Sequence, residues 1–283
     1  MNTTVVTPAL VKELRDRTGV GMAKCKEALD QAHGNIEEAI SILRKAGMTS
    51  AVKKEGRLTK EGMVLAHEAG DVIAVVEVDA ETDFVVQNEK FREFCKNIAE
   101  EAAKTKPASV EAFMQQPYSK DPQITVDQFR SLLIQTIGEN IVVRRLELFP
   151  KKPDQSIGIY SHLGGKLLTA VVLEGPGEEA LARDIGMHVA AVAPEYLSPE
   201  SVSQEVIANE KEIAKVQVQG KPAHIMEKIL EGKLNAFFDL SCLTRQKYIR
   251  DDTCTVADFV KKQGASRGKN LKVLGFLRWV AGK

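Results

Sequence analysis

Side chains able to do covalent or acid–base chemistry are scattered through these 283 residues without the spacing such chemistry needs. The five histidines, His33, His67, His162, His188 and His224, include no His-Glu-x-x-His pair that would hold zinc on one helix face. The four cysteines, Cys25, Cys95, Cys242 and Cys254, lie far apart and read as reduced, mostly buried thiols. No Gly-x-Ser-x-Gly elbow supports a serine nucleophile, and Gly164-Gly165-Lys166 has neither the spacing nor the hydroxyl of a phosphate-cradling loop. One segment breaks local rules instead: Asp79-Ala80-Glu81-Thr82-Asp83-Phe84 sets an aromatic among acidic residues where a turn belongs. Two placements fit that pattern. Phe84 tucks back into the core while Thr82 and Asp83 cap the next turn, or it stands outward as the kind of aromatic anchor that dominates a protein interface.

The elements that must position this segment follow from apolar spacing. Leu10, Val11 and Leu14, then Cys25, Ala28 and Leu29, then Ile36, Ala39, Ile40 and Leu43 give three short helices punctuated by Gly19, Gly34 and Gly47. Met48–Thr59, polar and basic, reads as a linker. Met63–Glu68 and Val72–Val78 read as a hairpin, and Phe91, Phe94, Cys95, Ile98, Ala99 and Ala102 as one face of a helix. A helix over Val126–Ile137 and a strand over Ile141–Leu148 follow. A strand at Leu167–Glu174, a Gly-Pro-Gly turn and a helix over Glu178–Ala193 repeat that plan, with His188 as a satisfied core histidine. Val202, Val206, Asn209, Ile213 and Val216 are spaced like a coiled-coil seam, and a turn at Lys221-Pro222 returns the chain through Ile225, Ile229 and Leu234 as an antiparallel helical hairpin. The fold class is α+β: a three-helix N-terminal module (1–54), and two tandem α+β core subdomains (55–148 and 149–283), the second with the hairpin inserted at about 198–238.

Composition narrows the function. Thirty-nine basic and 39 acidic residues cancel, so the chain has no global positive field for nonspecific nucleic-acid binding. Charge is uneven locally: residues 221–283 carry 13 basic and six acidic side chains, residues 55–116 seven and 13. No apolar run approaches the roughly 20 residues that span a bilayer. The N-terminus has no secretory pattern, which points to the cytoplasm.

Several separated motifs resemble the elongation factor Ts family. Leu10-Val11-Lys12-Glu13-Leu14-Arg15 with Arg17-Thr18-Gly19-Val20-Gly21-Met22 is similar to its ubiquitin-associated-type module, and Thr82-Asp83-Phe84-Val85 to its interaction motif. Ile137-Gly138-Glu139-Asn140-Ile141 with Arg144-Arg145, and Met187-His188-Val189-Ala190-Ala191, resemble further signatures in the same order. The resemblance implies a guanine-nucleotide exchange factor for elongation factor Tu, with no cofactor, no metal and no direct nucleotide binding of its own. It implies that Asp83 and Phe84 enter the partner's nucleotide-binding domain, displace the elements holding magnesium and phosphate, and release GDP. Arg15 and Met22 match positions touching a helix of that domain. Lys54 matches a contact just after the module, Ile137 and Gly138 match positions packing on the same domain, and His162 one nearer the partner's far end. Longer members continue into a C-terminal helix beyond the strand that Lys272–Arg278 resembles, and some carry methionine where Ala23 stands. A homodimer and a heterotetramer with the partner both stay open, as do two rival functions: a scaffold or chaperone-type adaptor, and a hydrolase or transferase using a thiol such as Cys95.

Overall fold

The computed structural model describes residues 5–216 and 223–283, in two compact units: Met1–Pro150 with Val280–Lys283, and Lys151–Trp279.

The first unit opens with α1 (Pro8–Thr18), α2 (Met22–Gln31) and α3 (Ile36–Lys54). Thr7 and Asn35 cap α1 and α3 through their side-chain oxygens, and Val11, Leu14, Cys25, Leu29, Ala39 and Leu43 close a small core. The expected linker over Met48–Thr59 is helical as far as Lys54, so α3 continues through Gly47. Gly47 is a contact point: a Cβ there would lie 3.3 Å from the Ser131 carbonyl. Lys53 and Lys54 suit the negative end of the helix, and the chain leaves it through Glu55 and Gly56, the latter at φ 84°.

Strands β1 (Glu61–Ala69) and β2 (Val72–Ala80) form the hairpin, followed by α4 (Asp83–Gln87), α5 (Glu89–Thr105), α6 (Val110–Gln115), the short pair β3 (Pro117–Tyr118) and β4 (Asp121–Thr125), α7 (Val126–Ile137) and β5 (Ile141–Pro150). The sheet is antiparallel in the order β1-β2-β5. Val72, Ala74, Val76, Val78 and Ala80 face a core filled by Phe91, Phe94, Cys95, Ile98, Ala99 and Ala102 of α5. On the other face, a register shift opposite Glu77 and Val78 brings two successive arginines to bear: Arg145 Nε bonds Glu77 at 2.5 Å and Arg144 Nε bonds Asp79 at 2.9 Å. The Gly282 N–H donates to Glu77 Oε1 at 3.0 Å, which ties the chain's last residues to β2.

The second unit contains β6 (Gln155–His162), β7 (Leu167–Glu174), α8 (Glu179–Val192), α9 (Gln204–Val216), α10 (Ala223–Ser241), the short pair β8 (Lys247–Tyr248) and β9 (Asp251–Thr255), α11 (Val256–Ala265) and β10 (Val273–Val280) as far as Trp279. Its sheet runs β10-β7-β6, the element order of the first unit's sheet. The likeness extends to side chains. Gln116–Phe129 and Gln246–Phe259, 130 residues apart, share Gln, Tyr, Asp, Thr, Val and Phe in register. Tyr118 stacks on Phe129 with centroids 4.5 Å apart, and Tyr248 on Phe259 at 4.1 Å. Thr125 and Thr255 each open a capping box. Glu101 of α5 accepts the Ser119 N–H at 3.0 Å; in the same place His188 Nδ1 accepts the Ile249 N–H at 3.3 Å, while its Nε2 bonds Gln246 Oε1 at 2.9 Å.

Helices α9 and α10 pack on one another, but not along the expected seam. Ala214 is buried, whereas Ile213 and Val216 are exposed. The inward stripe is displaced by one residue, through Ile207, Glu210 and Ala214, and Val202 precedes the helix, which begins at Gln204 after a 3₁₀ turn at Pro199–Ser201. The expected turn at Lys221-Pro222 lies outside the described residues, as does the side chain of Ile225. Among the described residues no helix is long and apolar enough to cross a membrane.

Candidate functional site, a pinned aromatic loop

β2 delivers the chain to Glu81 and Thr82 at the rim of its sheet. Thr82 is extended and caps α4, accepting the Val85 N–H at 3.4 Å, so the helix starts with Asp83 in its first turn. Val85 is turned into the core, which leaves Asp83 and Phe84 outside; Phe84 is 83% exposed. The alternative in which its ring fills the core is therefore excluded.

The loop is held from behind by the end of α7. Gly138 closes that helix in the left-handed conformation, φ 91°, donating to the Ile134 carbonyl at 2.9 Å, and the turn sends Glu139 and Asn140 back toward β2. Glu139 accepts the Thr82 N–H at 3.0 Å on one oxygen and the Thr82 hydroxyl at 2.6 Å on the other. Asn140 is buried; its N–H donates to Glu81 Oε1 at 2.6 Å and its side-chain amide to the Arg57 carbonyl at 3.0 Å. Arg57 in turn reaches Glu81 at 3.4 Å. Three segments far apart in sequence are thus fastened at one place beneath an exposed ring.

Most expected site residues gather around this frame. Ile137 is half-buried against the core and Gly138 is exposed. Lys54 lies one turn before Arg57, its carbonyl accepting the Arg57 N–H at 3.1 Å and its Nζ bonding Ser50. Burial, with help from Arg57 and Lys24, pulls its ammonium below the ordinary lysine range. Met22 opens α2 at 41% exposure, and Lys24 ties that helix to the last turn of α7 through the Gln135 carbonyl at 3.2 Å. Arg15 is exposed on α1, one turn before Gly19, whose carbonyl receives Lys90 of α5 at 3.0 Å. His162 belongs to the second unit, where its Nδ1 shares a 3.0 Å hydrogen bond with Tyr160.

Glu81, Glu139, Asn140 and Arg57 were not singled out by sequence reasoning as site residues. The signal was present for three of them, since Glu81 adjoins the Thr-Asp-Phe segment and Glu139-Asn140 closes the Ile-Gly-Glu-Asn signature. In the second unit Leu163 is exposed at φ 50°, the one non-glycine residue with positive φ among the described residues that does not follow a helix end.

Among the described residues no group of three or more His, Cys, Asp or Glu can hold a metal ion. Cys95 is buried, and desolvation pushes its thiol well above the usual range, which works against a thiolate nucleophile. An open cavity of about 560 Å³ lies among α1, α3, α5 and α7, but histidine and cysteine are absent from its lining and Arg44 is paired there with Asp121 at 2.8 Å.

The sequence model described as elongation factor TS matches residues 81–283, so the match begins at Glu81 and takes in the whole pinned loop. The elongation factor Ts of Protochlamydia amoebophila (strain UWE25) is 60% identical over 279 residues, covering 98% of this chain and 99% of that one. The chain belongs to the elongation factor Ts family. Elongation factor Ts of Chlamydia felis (strain Fe/C-56) is 44% identical over 273 residues, 96% of this chain and 97% of that one, and that of Chlamydia pneumoniae is 44% identical over the same length. Membership places the chain among the elongation factors of protein biosynthesis and agrees with a mixed helix-and-sheet fold.

Proposed function

We propose that the chain is a guanine-nucleotide exchange factor that binds elongation factor Tu·GDP in the cytoplasm and expels GDP without catalytic groups of its own. The observation that carries this reading is the exposed Phe84 ring on a loop braced by Thr82–Glu139 and Glu81–Asn140. A stiff apolar projection loses little freedom on binding and can work as a wedge. Phe84 enters the nucleotide-binding domain of the partner, Asp83 lies beside it, and the elements that hold magnesium and the phosphates are displaced. Arg15, Met22, Lys54, Ile137 and Gly138 contact the same domain, and His162 a more distant part of the partner. Residues 1–54 act as a module of ubiquitin-associated type, 55–148 and 149–283 as core subdomains, with α9 and α10 as a helical hairpin within the second.

Exchange needs only differential affinity. If the factor and GDP oppose one another on the partner, each weakens the other by the same ratio, about 1.4 kcal/mol for every tenfold. The phosphate chemistry then belongs to the partner.

The test is release of fluorescent GDP from preloaded elongation factor Tu by substoichiometric amounts of the chain. Rapid, magnesium-sensitive release is expected, slowed about tenfold or more by Phe84→Ala with the fold intact. Absence of release, or a Phe84→Ala rate equal to the parent's, overturns the proposal.

A further inference from the structure

Leu58 is 74% exposed, and its flanks are fixed on both sides. Before it, the Arg57 carbonyl receives the Asn140 amide at 3.0 Å and the Arg57 guanidinium faces Glu81. After it, Thr59 is buried and accepts from Arg144 Nη2 at 3.0 Å, while Arg144 Nε holds Asp79. Phe84 is mounted in the same way, between Thr82 fastened to Glu139 and Val85 sunk in the core. The two mounts share parts: Glu81 Oε1 takes both the Asn140 N–H and Arg57, so the Leu58 segment and the Phe84 loop are fixed to one carboxylate.

A single exposed leucine on a free loop needs no explanation. A leucine flanked by a carbonyl bonded to the buried Asn140 and by a buried threonine bonded to Arg144 differs, because much of the conformational cost of presenting it has been met within the fold. We propose that Leu58 is a second apolar anchor of the Phe84 interface and seats in an apolar socket of the same protein that receives the ring. The occupant follows from continuity: a surface closing over Phe84 also meets a segment fastened through Glu81 and Asn140. The inference rests on the exchange-factor reading, and the experiment separates the two.

Leu58→Ser and Phe84→Ala, each made in the full chain, are titrated against nucleotide-free elongation factor Tu by calorimetry, and the Tm of each variant is recorded. Expected is at least about fivefold weaker binding for Leu58→Ser at an unchanged Tm, with Leu58→Met close to the parent. Binding of Leu58→Ser within twofold of the parent, while Phe84→Ala is weakened, overturns the second anchor and leaves the exchange-factor reading standing. Unweakened binding by both variants overturns both proposals. A Tm lowered by several degrees in Leu58→Ser assigns the residue to the fold and overturns its role as an anchor.

Discussion

Thr82 and Glu139, 57 residues apart, are joined twice, since both oxygens of the Glu139 carboxylate are engaged by the backbone N–H and the hydroxyl of Thr82. Hydrogen bonds to an ionised acceptor are about twice as strong as neutral ones, and two of them fix direction as well as distance. The Thr-Asp-Phe and Ile-Gly-Glu-Asn segments therefore form one device, in which the second orients the first.

Glu139→Ala removes that orientation while leaving the Phe84 side chain in place. The lost bonds carry roughly 1–3 kcal/mol. Stopped-flow GDP release is expected to slow by severalfold to tenfold, with circular dichroism unchanged; a rate equal to the parent's would show that the ring needs no bracing.

Asn140→Asp replaces the buried side-chain donor by an acceptor that confronts the Arg57 carbonyl, while the backbone N–H given to Glu81 stays in place. Urea denaturation should register a loss of about 2–3 kcal/mol. Stability within 0.5 kcal/mol of the parent, a tolerance of roughly the size seen for neutral surface changes, contradicts the frame described above.

Gly158→Ala is expected to be severe in the second unit. A Cβ on β6 would stand 2.1 Å from the Arg183 backbone nitrogen and 2.4 Å from the Ala182 carbonyl carbon of α8, and neither backbone atom can step aside. Overpacking typically costs about 1–3 kcal/mol, and a clash with two backbone atoms belongs at the upper end of that range. The chain's one tryptophan, Trp279, reports the unfolding of this unit by fluorescence.

His188 gives the same unit a pH dependence. Burial lowers its affinity for a proton below the ordinary value of 6.5, partly opposed by the Gln246 bond, and protonation of Nδ1 would end its acceptance of the Ile249 N–H. The unfolded chain thus takes up a proton that the folded chain refuses. Stability from this residue is fully present above pH 6.5 and is lost as pH falls from there through the depressed folded value. Denaturation midpoints at successive pH values should show that decline, and His188→Leu, though less stable at pH 8, should flatten it.

What could be read from the residues alone was what local periodicity encodes. The stripe from Phe91 to Ala102 and the alternation along Val72–Val78 specify a buried helix on a hairpin, and both are found there. The exposure of Phe84 was not readable, because capping by Thr82 fits either placement and the choice is made by a partner 57 residues away. Gly47 resembled a helix end for the same reason: only the facing Ser131 carbonyl reveals that the missing side chain makes room for α7. The seam assigned to Ile213 and Val216 failed because the spacing fixes a period but not which stripe faces inward, and the packed stripe runs one residue away through Ile207 and Ala214.

The paired Gln-Tyr-Asp-Thr-Val-Phe segments bear on how the chain avoids assembling wrongly. Like neighbours invite exchanged parts while they fold. Here the acceptors differ, a carboxylate at 101 and an imidazole at 188, and so do the donors offered to them: Ser119 gives Glu101 a hydroxyl as well as an N–H, whereas Ile249 has only its N–H. A crossed docking would leave the carboxylate short of a donor in a buried place, so each hairpin carries an address that favours its own helix.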